Sequence, residues 1–289
     1  MRLIEHRLRY EKRGTTFRLY PFGDVHWGAR ACDEEAARDY LARLAADPYG
    51  IGLLGGDLFE AIPQTDPRFD RETLAGWCKD ARDVMLEQKR YAEAALAPVK
   101  DKLIGGIEGN HERVLRDKQG RDLHGWLCET LGIPDLTYSA FIRLVFHRKS
   151  PGQRSKAATT TFLIHAAHGK QAGGVLAGSE RNRLGRRLER IHADLCLVGH
   201  SHWREVLDDT QKFTAPRHGR LPEQCTLFRP QAANWGTYYR TAPVGPSTYA
   251  ERAEYHPKDI GGIVVEFTPD TGEMTIDKVR KERKPCTAY

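Results

Sequence analysis

Five short motifs in the first two thirds of this 289-residue chain combine carboxylates, an amide and imidazoles. In chain order they are Asp24-Val25-His26, Gly56-Asp57, Gly109-Asn110-His111-Glu112, His168-Gly169 and Gly199-His200-Ser201-His202. Mixed nitrogen and oxygen ligands suit Mn, Fe or Zn better than Mg or Ca, because imidazole is a poor ligand for the harder ions. Each motif is common by itself, but the ordered set predicts a centre for two adjacent divalent metal ions.

The order and content of these motifs resemble the calcineurin-like metallophosphoesterase superfamily, whose pattern runs D-x-H, G-D, G-N-H-[DE], H and G-H-x-H. The resemblance covers residues 24–202. It implies that one metal is held by Asp24, His26 and His202, the other by Asn110, His168 and His200, and that Asp57 bridges the two. A bridging carboxylate suits such a pair, since the two ions lie about 3.5–4 Å apart. We expect Mn, with Fe or Zn as alternatives.

His111 adjoins a metal ligand but is not one in the family scheme, where this histidine contacts the phosphate and assists the leaving oxygen. The resemblance therefore implies a catalytic role for His111, as general acid or transition-state stabiliser. It also implies that the nucleophile is a metal-bound hydroxide, formed because the cations lower the pKa of water toward neutrality.

The residues around the motifs bear on the substrate. After Gly56-Asp57 the chain continues Leu58-Phe59-Glu60, without the Asp-Arg-Gly extension of the protein Ser/Thr phosphatases of this superfamily. The first two motifs are similar to those of Mre11/SbcD-type nucleases, which carry Asp at the position of Glu112. Because no coiled-coil segment is visible, the chain is more similar to the stand-alone phosphoesterases of bacteria and their phages.

We therefore predict a phosphodiesterase acting on nucleic acid (DNA or RNA) or on nucleotides. A phosphomonoesterase or nucleotide pyrophosphate hydrolase using the same site is the alternative. A non-catalytic interaction module is a third hypothesis. It is disfavoured because all seven predicted ligand positions hold residues that can bind a metal.

The net charge of +6 is unevenly distributed. Residues 141–190 contain eleven Lys and Arg against two acids, Glu180 and Glu189, so this window carries +9 and the remainder −3. Such an excess indicates either a solvated helix face with a basic loop, or a surface that attracts a polyanion. On the second interpretation the substrate contacts would include Arg181, Arg186 and Arg187.

The six cysteines (Cys32, Cys78, Cys128, Cys196, Cys225 and Cys286) are widely spaced, which favours reduced and mostly buried thiols. The first ten residues are charged throughout and do not resemble a secretory signal, and no apolar run approaches the length of a membrane span. We expect a cytoplasmic protein without a membrane anchor. No feature predicts an obligate protein partner.

The positions of the motifs relative to apolar runs predict an α/β fold. Strands over 17–22, 51–54 and 103–107 lead directly to Asp24, Asp57 and Asn110, which places the metal site at strand C-terminal loops. Helices are predicted over 33–46, 71–97 and 178–192, and later strands over 136–146, 159–166, 195–198, 225–228, 262–267 and 274–279.

The family resemblance implies a four-layer αββα sandwich, with two mixed β-sheets face to face and helices outside. Because no linker is visible, we expect residues 1–289 to form a single domain in which 203–289 completes the second sheet. His165 is interpreted as a packing residue, and residues 171–178 as either a lid or an ordinary loop. Trp235, Tyr238, Tyr239 and Arg240 are either specificity residues or part of the core.

Overall fold

The computed structural model describes residues 1–149, 158–169, 177–215, 225–243, 247–252 and 254–279. Its strands are β1 (Arg2–Tyr10), β2 (Phe17–Phe22), β3 (Gly50–Leu54), β4 (Leu103–Gly106), β5 (Ser139–Arg148), β6 (Ala158–Ala167), β7 (Leu195–Val198), β8 (Val206–Leu207), β9 (Lys212–Thr214), β10 (Thr226–Phe228), β11 (Gln231–Asn234), β12 (Ile263–Thr268) and β13 (Glu273–Lys278). Its α-helices are α1 (Glu34–Ala46), α2 (Gly76–Lys79), α3 (Val84–Leu96), α4 (Asn110–Gln119), α5 (Leu123–Leu131), α6 (Ala177–Arg190) and α7 (Tyr249–Arg252). None of these helices has both the length and the apolar character needed to cross a bilayer.

Two mixed sheets form the centre of the molecule. The larger has the strand order β1-β5-β6-β7-β11-β8, and the smaller has the order β13-β12-β2-β3-β4. In the larger sheet β6, β7 and β11 run parallel, and in the smaller β2, β3 and β4 run parallel. Parallel neighbours end at the same edge, so the chain leaves each of these groups of strands on one side of its sheet.

The apolar side chains define four layers. A core between the sheets contains residues of both, among them Leu53, Phe146 and Leu197. Helices α1, α3 and α5 cover the outer face of the smaller sheet, and α6 packs Leu184 and Leu188 against β7 of the larger sheet. The expected four-layer αββα sandwich is therefore confirmed.

Several elements form where the sequence predicts them. Asp33 begins α1, because its side chain accepts the backbone N–H of Ala36 at 3.1 Å. The strands expected over 17–22, 51–54, 103–107 and 195–198 agree with the structure to within one residue. Strands β2 and β3 are almost entirely buried, as expected for parallel strands covered on both faces.

The prediction of one helix over 71–97 is wrong. A single 3-10 turn at Arg71–Thr73, the short α2 and the longer α3 occupy this range. Asp83 begins α3 by accepting the N–H of Leu86 at 3.1 Å, and Asp70 caps the 3-10 turn by accepting the N–H of Glu72 at 3.0 Å. Aspartate caps offer the backbone an alternative to a continuous helix, and apolar spacing alone does not reveal them.

The strands after residue 203 belong to both sheets, rather than only to the second one as expected. Strands β8 and β11 extend the larger sheet, while β12 and β13 extend the smaller one, and β9 pairs with β10 separately. The last third of the described chain thus contributes to both sides of the central core. That residues 1–289 form one domain stays a prediction.

One ion pair ties α5 to the segment before β5. His124 Nε2 lies 3.0 Å from Asp135 Oδ1, and Asp135 also accepts the backbone N–H of Thr137 at 2.7 Å. Burial by itself would lower the pKa of His124, but the bonds to Asp135 and Cys128 raise it to about 10. The same bond from His124 lowers the pKa of Asp135 to about 2.

Candidate metal centre

The loops that follow β2, β3, β6 and β7 meet at one edge of the two sheets. Asp24 N donates to Gly56 O at 2.9 Å, which joins the loops after β2 and β3. Gly199 N donates to His168 O at 2.9 Å, which joins the loops after β6 and β7. His200 N donates to both carboxylate oxygens of Asp24, at 3.0 and 3.1 Å, and so links one sheet to the other.

Asp24, His26 and His202 form one group of potential metal ligands. One ligand atom from each lies within 4.8 Å of the other two. The Nε2 atoms of His26 and His202 are 3.2 Å apart, and His202 Nε2 is 3.5 Å from Asp24 Oδ1. The structure thus gathers the three residues that the family resemblance assigns to one metal.

A second group consists of Asp57, His168 and His200, whose ligand atoms also lie within 4.8 Å of one another. His168 Nε2 is 3.1 Å from Asp57 Oδ2 and 3.1 Å from Asn110 Oδ1. Asn110 is the first residue of α4, directly after the loop that follows β4. All seven predicted ligands therefore lie together, and the bridging role of Asp57 stays a prediction.

His111 lies beside both groups without belonging to either predicted ligand set. Its backbone N–H donates to Asp57 Oδ1 at 2.9 Å, and its Nδ1 is 2.5 Å from the carbonyl oxygen of Glu60. Its ring centroid is 4.7 Å from that of His26. Glu60, His26 and His111 form a third group, whose potential ligand atoms all lie within 4.8 Å of one another. Glu60 Oε2 lies 3.2 Å from His26 Nδ1.

Backbone strain is concentrated at these residues. Positive φ angles occur at Asp24 (50°), His26 (56°), Asp57 (49°), His200 (70°) and His202 (60°). Aspartate and histidine adopt positive φ angles more readily than most residues, whereas β-branched and bulky residues rarely do. Such conformations persist only where the surrounding structure fixes them, and they are typical of functional sites.

Glu112 fixes the loop that carries Asp57, a role that the sequence did not reveal. It is buried, and its carboxylate accepts the backbone N–H groups of Asp57 at 3.0 Å, Leu58 at 2.7 Å and Phe59 at 3.2 Å. The signal in the sequence that could have indicated this role is the position of Glu112 in the Gly-Asn-His-Glu motif, because a charged residue next to a metal ligand is not expected to serve as apolar packing. The sequence also did not reveal that Glu60 contacts the predicted ligand His26.

A buried polar network holds the turn that carries His200 and His202. Glu180 of α6 is fully buried and accepts hydrogen bonds from Arg183 Nη2 at 2.8 Å, Asn234 Nδ2 at 2.9 Å and Ser201 Oγ at 2.9 Å. Arg183 also donates to Gly199 O at 3.1 Å. The turn is thereby tied to α6 and to the end of β11.

Two aromatic residues after β11 form a wall of the centre. Trp235 Nε1 donates to Asp24 Oδ2 at 2.6 Å, and its ring fills the space that a side chain at Gly55 or Gly199 would need. The ring of Tyr239 lies 5.0 Å from that of His26. Both are buried, so they contribute to the core and to the site together.

The two carboxylates differ in their electrostatic surroundings. Burial raises the pKa of Asp24 to about 7. Burial opposes ionisation of Asp57 as well, but the charges of His168 and His111 hold the pKa of Asp57 well below its usual range. Burial likewise opposes protonation of His168, yet the charge of Asp57 and their hydrogen bond raise its pKa to about 10.

The remaining imidazoles favour the neutral form. Burial lowers the pKa of His26 to about 3 and that of His200 to about 4, and it lowers the pKa of His202 well below its usual range. Neutral imidazole is the form that binds metals. His111 differs, because the negative charges of Asp57 and Glu60 outweigh its burial and raise its pKa.

The donor set fits divalent metals. Within the described ranges Asp24 and Asp57 have no Lys or Arg within 4.0 Å, and their ionic partners are histidines. Two buried carboxylates that have only histidines as ionic partners are costly once those imidazoles are neutral, and bound cations would offset that cost. Carboxylate, amide and imidazole ligands together suit Mn, Fe or Zn.

Part of the basic window is paired with acids from elsewhere in the chain. Arg181 pairs with Asp209 at 2.7 Å and with Glu205 at 3.4 Å. Arg186 is exposed, and Arg187 is half-buried on α6. A substrate contact through these three arginines stays a prediction. Arg154, Lys156 and Lys170 lie outside the described residues, as do residues 171–176 of the suggested lid.

His165 has the environment of a packing residue. It is buried on β6, with its ring centroid 4.9 Å from that of Phe141, and burial lowers its pKa to about 4. It belongs to none of the ligand groups found among the described residues.

No protein-family model and no curated protein sequence matches the chain. Solved structures that match include a predicted phosphoesterase from Streptococcus pneumoniae, with 12% identity and a TM-score of 0.34, covering 92% of this chain and 99% of that one. A zinc-complexed Vps29 from Entamoeba histolytica has 14% identity and a TM-score of 0.34, covering 91% and 99%. A metallophosphoesterase from Sphaerobacter thermophilus has 14% identity and a TM-score of 0.36, covering 92% and 90%. At these values the likeness carries no conclusion about function, which depends on the side chains described above.

Proposed function

We propose that this protein is a metal-dependent phosphoesterase with two divalent ions, most active on phosphodiesters of nucleic acid or nucleotides. The observation that supports this most strongly is the meeting of two ligand groups at one edge of the sheets. One group is Asp24, His26 and His202, and the other is Asp57, His168 and His200 with Asn110 beside them.

The metals, when bound, would supply the Lewis acidity that activates water and offsets the charge of the phosphate. Asp24, His26 and His202 would hold one ion, and Asn110, His168 and His200 the other, with Asp57 shared. The strained backbone and the carboxylate of Glu112 keep these groups oriented before any ligand arrives.

His111 would protonate the leaving oxygen. The short contact between its Nδ1 and the Glu60 carbonyl holds one proton on Nδ1, so that Nε2 is the nitrogen available for proton transfer. Its backbone bond to Asp57 keeps the ring next to the metal ligands. This arrangement needs no covalent phosphoenzyme.

The experiment that tests the proposal compares hydrolysis of bis-p-nitrophenyl phosphate and p-nitrophenyl phosphate by protein supplied with Mn, alongside metal analysis. We expect close to two equivalents of metal, and a higher kcat/KM for the diester. A strong preference for the monoester would remove the diesterase assignment. Protein that retains no metal and hydrolyses neither substrate would contradict the whole proposal.

A further inference from the structure

We propose that the substrate is a nucleic acid strand, and that Arg113 and Lys258 bind the phosphates on either side of the scissile one. The inference deepens the proposed function and rests on it, because it takes the scissile phosphate to lie at the metal centre. A strand presents phosphates on both sides of the bond that is cleaved, whereas a mononucleotide does not. Neither residue belongs to one of the five motifs or to the basic window of residues 141–190.

Arg113 lies beside the ligand group that contains His168. It is on α4, three residues after Asn110, whose Oδ1 is 3.1 Å from His168 Nε2. Its guanidinium carbon is 5.9 Å from the centroid of the Tyr138 ring. The carbonyl oxygen of Tyr138 accepts the backbone N–H of His168 at 3.3 Å, and the Tyr138 hydroxyl donates to the carbonyl oxygen of Gly169. Arg113 is therefore connected to this ligand group both through α4 and through Tyr138.

Lys258 lies beside the other ligand group. Its Nζ is 3.2 Å from the centroid of the Trp203 ring, and Trp203 directly follows the predicted ligand His202. The chain around Lys258 is fixed to the same loop, because Arg204 Nη1 donates to the carbonyl oxygen of Ile260 at 3.0 Å. An aromatic face attracts a cation without neutralising it. The two cations thus adjoin different ligand groups of one centre.

Both cations keep their charge available for an anion. Among the described residues Lys258 Nζ has no carboxylate oxygen within 4.0 Å, and burial lowers its pKa only to about 8, so it is mostly protonated at pH 7. Arg113 Nε lies 3.6 Å from Asp117 Oδ2, but these side chains are 51% and 57% exposed, and Asp117 is shared with Arg116. Exposed pairs of this kind contribute little, so a phosphate can replace the carboxylate. Lysine and arginine in this state are the side chains that bind nucleic acid phosphates.

Lys89 provides a matched control. Its Nζ lies 3.7 Å from the centroid of the Trp126 ring. Like Lys258 it is half-buried, and in the described part of the chain it has no carboxylate oxygen within 4.0 Å. Lys89 belongs to α3 and Trp126 to α5, on the outer face of the smaller sheet rather than at the edge where the ligands meet. Lys89→Gln therefore removes the same charge and the same kind of aromatic contact at another surface.

The test measures binding of fluorescently labelled octamers of thymidine and of uridine to the Mn-supplied protein by fluorescence anisotropy at pH 7. Phosphorothioate linkages keep the charge of each phosphate and resist cleavage. The phosphorothioate dinucleotides TpT and UpU, with one linkage each, are measured as competitors. We expect the wild type to bind at least one octamer more tightly than its dinucleotide.

The variants identify the cations that make the contacts. Arg113→Gln and Lys258→Gln should each raise the octamer Kd about 5- to 50-fold, and each should reduce the slope of log Kd against log salt by about 0.7. The double variant should reduce the slope by about 1.4, because contacts at separate sites add. Arg113→Lys and Lys258→Arg keep the charge and should keep the wild-type slope. Lys89→Gln should bind the octamers as the wild type does.

Three results would each overturn the inference: neither octamer binding more tightly than its dinucleotide, wild-type affinity in Arg113→Gln or Lys258→Gln, or an equal loss in Lys89→Gln. The two proposals fail separately. A protein that binds an octamer through both cations and hydrolyses no phosphate ester would refute the proposed function alone. A protein that hydrolyses bis-p-nitrophenyl phosphate and binds the octamers no better than the dinucleotides would refute this inference alone.

Discussion

Replacing Glu180 by glutamine tests how the turn that carries His200 and His202 is held. The substitution preserves the shape of the side chain and removes its charge. Glu180 Oε1 accepts from Arg183 and Asn234, and Oε2 accepts from the hydroxyl of Ser201. In the variant an NH2 group replaces one of these oxygens, so either the Ser201 hydroxyl or the pair Arg183 and Asn234 loses its acceptor.

The expected magnitude follows from these bonds. A hydrogen bond to a charged group contributes about 1.5–3 kcal/mol, and breaking a buried ion pair costs about 3–5 kcal/mol. Arg183 keeps its bonds to Gly199 O and Ser201 Oγ and has a side chain that is 22% exposed, which reduces the penalty. We expect Glu180→Gln to lower the free energy of unfolding by about 2–4 kcal/mol.

Measuring metal binding distinguishes a role of Glu180 in positioning the ligands from a general contribution to stability. Residues that orient metal ligands typically change metal affinity by about 10- to 100-fold when they are replaced. We expect Glu180→Gln to weaken Mn binding by this factor in calorimetry at a temperature where the variant is fully folded. The visible absorption spectrum of the Co²⁺-substituted protein should also change, because the geometry of His200 and His202 is altered.

Glu189→Gln on the same helix is the matched control. Its side chain is 75% exposed and lies 3.7 Å from Lys212, so we expect a stability change within about 0.5 kcal/mol and wild-type metal binding. If Glu180→Gln is destabilised but keeps the wild-type Mn affinity and Co²⁺ spectrum, the network supports the fold and does not position the ligands.

Three further substitutions address the centre and the fold. His111→Ala should keep the wild-type metal content and slow turnover by about 10²- to 10⁴-fold, most for poor leaving groups, as measured by steady-state kinetics. Asp57→Asn should lower the occupancy of both metals, as measured by metal analysis after dialysis. Asp135→Asn should lower the free energy of unfolding, measured in urea, by about 1–2 kcal/mol at pH 5.5 and by almost nothing above pH 10. The reason is that the pair is stabilising only while His124 is protonated, and the pKa of His124 is raised to about 10.

The pH dependence of the last substitution has a definite sign. The contribution of His124 is complete below its ordinary pKa of about 6.5 and is lost as pH rises through about 10. The contribution of Asp135 is present above its ordinary pKa of about 3.9 and is lost as pH falls through about 2. A cost that grows with pH would refute this account. If His111→Ala turned over substrate as fast as the wild type, the catalytic role of His111 would be refuted. Two full equivalents of metal in Asp57→Asn would refute the bridging role of Asp57.

The sequence predicted the candidate centre more completely than the elements around it. Motif residues follow buried strands, and the C-terminal ends of neighbouring parallel strands must meet, so the approach of Asp24 to Asp57 followed from local patterns. The meeting of His168 with them across the two sheets was implied only by the family resemblance. Strand β1 was not predicted, because it lies at the sheet edge and its outward positions are charged. Strand β11 was missed because Gln231–Asn234 contains none of the β-branched or aromatic residues typical of strands.

The supporting residues could not be predicted from the sequence because their partners are distant along the chain. Glu180 meets Asn234 across 54 positions, and Asp57 N meets Glu112 across 55 positions. A glutamate in a basic helix has the sequence character of a solvated charge. The packing of α6 onto the larger sheet removes it from water, and it then requires the donors that surround it.

The composition of the motifs satisfies two requirements at once. Metal binding calls for aspartate and histidine, and these two are among the residue types that most readily adopt positive φ angles, as Asp24, His26, Asp57, His200 and His202 do. Each strained position costs about 1–3 kcal/mol at most sites, so the bonds from Glu112, Trp235 and the Glu180 network must stabilise the strained loops. Removing these supports should therefore relax the ligands away from the centre before it unfolds the sheets, which is why metal affinity is a more sensitive measure of their role than global stability.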